Sequence, residues 1–170
     1  MGPSQVACTV RAMDSEVVRS ARRRKTVQAR EVDGVLRIQI PAAMTGDEEQ
    51  RWVDEMTRRF RRRAGTREVD LASRARTLGQ RYGLPIPSSI RWADNQRSRW
   101  GSCTVATGAI RVSSALGAYP RWVLDYVVVH ELAHLVHPDH GAAFWGLVDR
   151  YPRAERARGF LIAKGIEPDA

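Results

Sequence analysis

The stretch from His130 to His140, HELAHLVHPDH, holds all four histidines of the 170-residue chain. It closes a segment in which Val123, Leu124, Val127, Val128, Val129, Leu132, Ala133, Leu135 and Val136 point in nearly every direction round a helix. A helix that is apolar on all sides is a buried one. The chain must therefore fold around this helix and bury imidazoles and a carboxylate with it. That burial is costly unless something satisfies the polar groups.

A metal ion satisfies them. At about 100° per residue, His134 falls roughly 40° from His130 and one turn along, so both imidazoles face one side. Glu131 lies about 100° round, beside the pair. This is the spacing of H-E-x-x-H, in which two histidines bind zinc and the glutamate handles the proton of a zinc-bound water. A catalytic zinc takes a third protein ligand and keeps one position open. His137 shares the helix face, but it lies about 10 Å along the axis from His130. Three ligands in a row on a straight helix cannot wrap a tetrahedral ion. Pro138 turns the chain, so His140 is the expected third ligand, with His137 behind it or acting as a cation at the helix C-terminus. Asp149 and Glu155 are the carboxylate alternatives.

The rest of the chain reads as α+β. Residues 1–15 show no periodicity and are expected to be loose. Alternation on both sides of Asp33-Gly34 predicts a hairpin closed by Pro41. Thr45 and Glu48 fit a capping box that opens a helix with Trp52, Val53, Met56 and Phe60 at apolar spacing, ended by Gly65. Thr66 is expected to cap a second helix, ended by Gly83 and Pro85. A small sheet follows, including "AIRVS" after a turn at Thr107-Gly108. Pro120 suits the start of the histidine helix. Two short helices split at Pro152 complete the chain. The expected division is 1–15 tail, 16–65 hairpin and helix, and 66–170 catalytic region, within one compact domain.

The formal charge is +9, and lysine occurs only at Lys25 and Lys164. Such a surface can attract nucleic acid, anionic lipid or acidic polypeptide, and it also reads as a plain solvated basic face. In "RWADNQRSRWG" the interleaved arginines and tryptophans either stack on single-stranded nucleic acid or pack a sheet on a helix. Two distant cysteines, Cys8 and Cys103, make no disulfide framework and read as reduced thiols. No run approaches the roughly 18 apolar residues of a membrane span, and no signal-peptide pattern opens the chain. A soluble cytoplasmic protein is expected, with no membrane partner.

The motifs "SRWGSC", "IRVSSAL" and "YPRWVLDYVVVHELAHLVHPDHGAAFW" resemble the YgjP-like metallopeptidase domain, a relative of SprT-like zinc metallopeptidases. "RSARRRKTVQ" and "RYPRAERARGFL" extend the likeness over most of the chain. The resemblance implies a minimal zincin-like domain, with a small antiparallel-type sheet packed on the HExxH active-site helix. It also implies a third histidine in an H-G/S-x-x-F-W stretch, here His140-Gly141 with Phe144-Trp145. The SprT-like relatives include DNA-associated proteases.

The expected activity is peptide hydrolysis by one Zn²⁺ on His130, His134 and His140, with Glu131 as general base. Tyr126, Arg111 and Tyr151 are candidates for stabilising the transition state, and "AIRVS" for an edge strand that pairs with a polypeptide substrate. Two other readings remain open. One is a zinc hydrolase acting on a nucleotide or other phosphorylated small molecule. The other is a nucleic-acid-associated protein with a structural metal.

Overall fold

The computed structural model describes residues 15–96 and 98–165. The expected loose tail and Cys8 lie outside the described residues, except Ser15, which opens a strand. The order is β1 (Ser15–Ser20), β2 (Gln28–Val32), β3 (Val35–Pro41), α1 (Gly46–Glu68), α2 (Leu71–Tyr82), β4 (Ser89–Ala93), β5 (Gly101–Thr104) and β6 (Ala109–Ser113). A 3₁₀ turn (Ser114–Ala118) leads to α3 (Arg121–His134), α4 (Ala142–Val148) and α5 (Ala154–Ile162). The protein is α+β, as its sequence predicts. Among the described residues, no helix is long and apolar enough to cross a membrane. The chain divides into two compact units at Phe60, inside α1.

In the first unit, β2 and β3 form the expected hairpin. Asp33 and Gly34 both take positive φ, 53° and 80°, as a tight hairpin turn requires. Leu36, Ile38 and Ile40 on one face of β3 are fully buried, packed with Val53, Met56 and Phe60. The capping box at the start of α1 forms. Thr45 N–H donates to Glu48 Oε2 at 3.0 Å, and Glu48 N–H to Thr45 Oγ1 at 3.3 Å. Strand β1 was not expected. It pairs parallel to β3, making the sheet mixed, in the order β1-β3-β2. Six residues of SEVVRS alternate too weakly to reveal a strand whose partner lies beyond the next one.

The second unit holds another mixed sheet, β4-β6-β5, with β4 parallel and β5 antiparallel to β6. The expected antiparallel-type sheet is thus corrected to a mixed one by the parallel β4–β6 pair. "AIRVS" is the central strand, not an edge; the edges are β4 and β5. Glycine signals otherwise hold: Gly83 ends α2 at φ 66°, and Gly108 turns β5 into β6 at φ 64°. Helix α3 is buried from Val123 to Ala133. The bidentate pair Arg74–Asp125, with Nε–Oδ1 at 2.6 Å, ties α2 to it. In the "RWADNQRSRWG" stretch the packing role wins. Trp100 is buried in the core with its ring 5.6 Å from that of Tyr119, and half-buried Trp92 packs against the same core.

Gly65 does not end α1, and Thr66 does not cap α2. Helix α1 continues to Glu68, and Asp70 caps α2 through its side chain, which accepts from Ala72 and Ser73 N–H at 3.0 and 3.2 Å. The glycine serves close packing instead. A β-carbon at 65 would lie 1.9 Å from the carbonyl oxygen of Gly117. Alanine normally stabilises a helix interior by about 1 kcal/mol over glycine. Here the sign reverses. Gly65→Ala is expected to destabilise by about 1–3 kcal/mol, because two backbones must separate. A higher urea midpoint for the variant refutes the close-packing role.

Candidate metal centre

Helix α3 brings His130 and His134 to one side at a one-turn spacing. Their Nε2 atoms stand 3.2 Å apart. The chain turns after α3, and His140 returns its Nε2 to 3.3 Å from that of His130. The ligand-type atoms of the three residues all lie within 4.8 Å of one another. Nitrogens bound tetrahedrally at about 2.0–2.1 Å are themselves roughly 3.3 Å apart, so the three fit the corners round a single zinc-sized ion. No other histidine, cysteine or carboxylate joins the cluster among the described residues.

Hydrogen bonding supports the same face of the rings. His134 Nδ1 donates to the backbone carbonyl of His137 at 3.2 Å, which leaves Nε2 as the lone-pair nitrogen. The carbonyl of residue 137, and not its imidazole, is what meets the cluster. Burial, the other two histidines and Arg158 together press His130 down to about 3, so this ring is neutral and a competent ligand.

Glu131 is 4% exposed, and its Oε2 has no hydrogen-bond partner among the described residues. Burial raises its pKa to about 8, and Arg99 opposes the rise. A carboxyl this dry matches a cation-binding pocket, since an ion in the histidine cluster restores the charged form.

Strand β5 presses on this carboxylate. A β-carbon on Gly101 would sit 2.2 Å from Glu131 Oε1 and 2.6 Å from its Cδ. Sequence reasoning missed Gly101, although a glycine inside a strand is a known mark of close approach. Cys103, two residues along and on the same face, is pushed up to about 11 by burial and then by Glu131. At pH 8 its thiolate fraction is therefore roughly a hundredfold below that of an ordinary thiol. In a Cys8→Ser variant, iodoacetamide is expected to modify Cys103 about a hundred times more slowly than free glutathione; a comparable rate contradicts this burial.

Aromatic rings wall the other side. Phe144 lies 4.5 Å from the His134 ring and 4.9 Å from that of His130, centroid to centroid. Trp145 stacks on His140 at 5.7 Å and 22°.

Tyr126 is fully buried, its ring 6.1 Å from that of His130. Tyr151 donates its hydroxyl to the carbonyl of Trp122 at 2.9 Å. Arg111 donates to Asn95 Oδ1 from the face of β6 that also carries Ser102 of β5, opposite the face of Gly101. Asp149 and Glu155 are exposed, and Glu155 accepts from Arg158 at 2.7 Å.

No curated protein matches the chain. A solved structure described as the metallopeptidase zymogen of Pyrococcus abyssi abylysin is similar in fold. The identity is 20% and the TM-score 0.50, over 56% of this chain and 95% of that one. The family model for the YgjP-like metallopeptidase domain matches residues 16–161. With that span, which contains the three histidines, Glu131 and Gly101, the chain belongs to the YgjP-like metallopeptidase family.

Proposed function

We propose that this protein is a zinc-dependent peptidase in which His130, His134 and His140 hold one Zn²⁺ and Glu131 is the general base. The observation that carries this reading is the convergence of three Nε2 atoms, 3.2 and 3.3 Å apart where they meet His130, beside a buried carboxylate outside the ligand set. Three protein ligands with an adjacent base suit a catalytic zinc, whereas a structural zinc is closed by four.

Held there, the ion supplies Lewis acidity, acidifying water and polarising the scissile carbonyl. Glu131 takes the proton from the attacking water on Oε1 or Oε2 and passes it to the leaving amine. Its dry surroundings keep that proton from leaking to solvent. The Gly101 backbone holds the carboxylate on one side. Polypeptide as substrate is supported by the sheet edge. Strand β5 is the outer strand next to the site, and the outward main-chain groups of an edge strand suit an extended peptide whatever its side chains. This role passes to β5 from "AIRVS", whose main chain is engaged on both sides.

Phosphorylated small molecules are the competing substrate class, since the same chemistry attacks phosphorus. The test compares zinc-loaded wild type and Glu131→Gln on unfolded proteins and on nucleoside triphosphates. Protein cleavage by wild type alone supports the peptidase. Nucleotide hydrolysis by wild type alone, with proteins intact, replaces it.

A further inference from the structure

Two of the three nitrogens are set by a buried helix. The third is not. His140 is exposed, in the segment joining α3 to α4, two residues after Pro138. Two torsions of an exposed imidazole are free to rotate, and fixing them costs up to about 1 kcal/mol. Yet His140 Nε2 already meets His130 Nε2 at 3.3 Å.

The first turn of α4 supplies the restraint. Trp145 N–H donates to the Gly141 carbonyl at 3.1 Å, closing the turn that folds Phe144 and Trp145 back over His140. Phe144 meets the imidazole edge-on, at 4.8 Å and 86°. Trp145 lies nearly parallel to it, at 22°. The indole is itself held from α5. The guanidinium carbon of Arg158 sits 4.4 Å from the Trp145 ring centroid. Glu155, one turn earlier on α5, accepts from Arg158 Nη1 at 2.7 Å. The Arg158 side chain is 25% exposed against 82% for Glu155, so the guanidinium is pressed inward against the indole.

The electrostatics sharpen the point. A guanidinium beside a cation site repels the ion, so simple charge complementarity does not account for Arg158. Its planar face does: arginine stacks on tryptophan more favourably than on any other aromatic, and more so when partly desolvated.

We infer that Trp145, clamped by Arg158, is the positioning residue for His140: it holds the imidazole in its ligating orientation before the ion arrives and thereby sets how tightly the metal is retained. The inference rests on the ligand assignment in the proposed function. Groups that orient a ligand in this way change metal affinity by about 10–100-fold.

The test reads metal binding without activity. Metal-free full-length protein is titrated with Zn²⁺ against a chromophoric chelator. Trp145→Leu is expected to bind about 10–100-fold more weakly, and Arg158→Leu to weaken binding in the same direction. Trp145→Phe, which keeps an aromatic face, is expected to recover most of the loss. In a His140→Ala background, Trp145→Leu is expected to add nothing, because the residue it positions is gone. Unchanged affinity in Trp145→Leu overturns the inference, and so does an equal further loss in the His140→Ala background. Wild-type affinity in His140→Ala itself is a separate failure, that of the ligand assignment. Circular dichroism of the metal-free variants checks folding. Should Trp145→Leu not fold, the same cycle with Arg158→Leu decides.

Discussion

Glu131→Gln is expected to lower kcat by about 10²–10⁴-fold while the protein keeps its zinc. The glutamate is not among the three converging ligands, so the metal site survives its loss. Glutamine has the same shape and fills the same space behind Gly101. It lacks only the basicity needed to accept a proton. Folding is expected to be preserved, because a neutral side chain replaces a carboxyl that is 4% exposed and whose Oε2 has no hydrogen-bond partner among the described residues. The checks are turnover on an unfolded protein, zinc content after gel filtration, and a thermal melt. Wild-type turnover with zinc bound rejects Glu131 as the base. Loss of zinc along with activity makes the carboxylate part of the metal site.

Gly101→Ala is expected to lower kcat by about a hundredfold, with zinc retained and KM changed much less. The added carbon meets Glu131 Oε1 at 2.2 Å, Cδ at 2.6 Å and Cγ at 2.7 Å. A flexible side chain in open space swings away from such a clash. Glu131 is 4% exposed on a helix buried from Val123 to Ala133, so its side chain has little room to swing. Either the carboxylate turns off its line or β5 retreats, and misplacing a reacting group by about 1 Å costs on the order of 10²-fold. Because the effect runs through Glu131, Gly101→Ala is expected to add little to Glu131→Gln. Ser102→Ala, one residue along and facing Gln96, is the control that keeps near wild-type turnover. Wild-type kcat in Gly101→Ala removes the strand from the catalytic machinery.

The two predictions differ in how visible their residues are in the sequence. Glu131 belongs to a four-residue period on one helix, and helical geometry relates residues that close without help from the rest of the fold. His130, His134 and Glu131 are legible for that reason. His140 is legible for a different one: Pro138 must turn the chain, and a histidine follows at once. Gly101, thirty residues away on a strand, has no such local relation to Glu131. Trp145 and Arg158 sit on successive short helices, and their meeting depends on how α4 and α5 pack.

The same division runs through the fold. Turns and caps that depend on neighbours in sequence form as read: the Asp33-Gly34 hairpin, the Thr45–Glu48 box, and Gly83 at the end of α2. Features that depend on distant partners were not readable. Gly65 looks like a helix stop, because glycine has low helix propensity, but a tertiary contact with Gly117 gives the missing side chain another purpose. "AIRVS" has the pattern of a strand, yet strand order is a property of the sheet, and β6 lies in its middle. Tyr151 and Arg111 have suitable chemistry, but the Trp122 carbonyl and Asn95 engage them, while Tyr126 lies beside the His130 ring.

By itself, then, the sequence determined the make-up of the candidate centre: a buried helix, two imidazoles one turn apart, a carboxylate beside them, and a third imidazole past a proline. Tertiary structure alone decided which strand closes on Glu131, which strands lie at the edges of the sheet, and which rings pack against His140. Helical periodicity acts over a few residues and is written in their spacing. Contacts between elements are chosen by packing, where shape and burial outweigh anything a local pattern records.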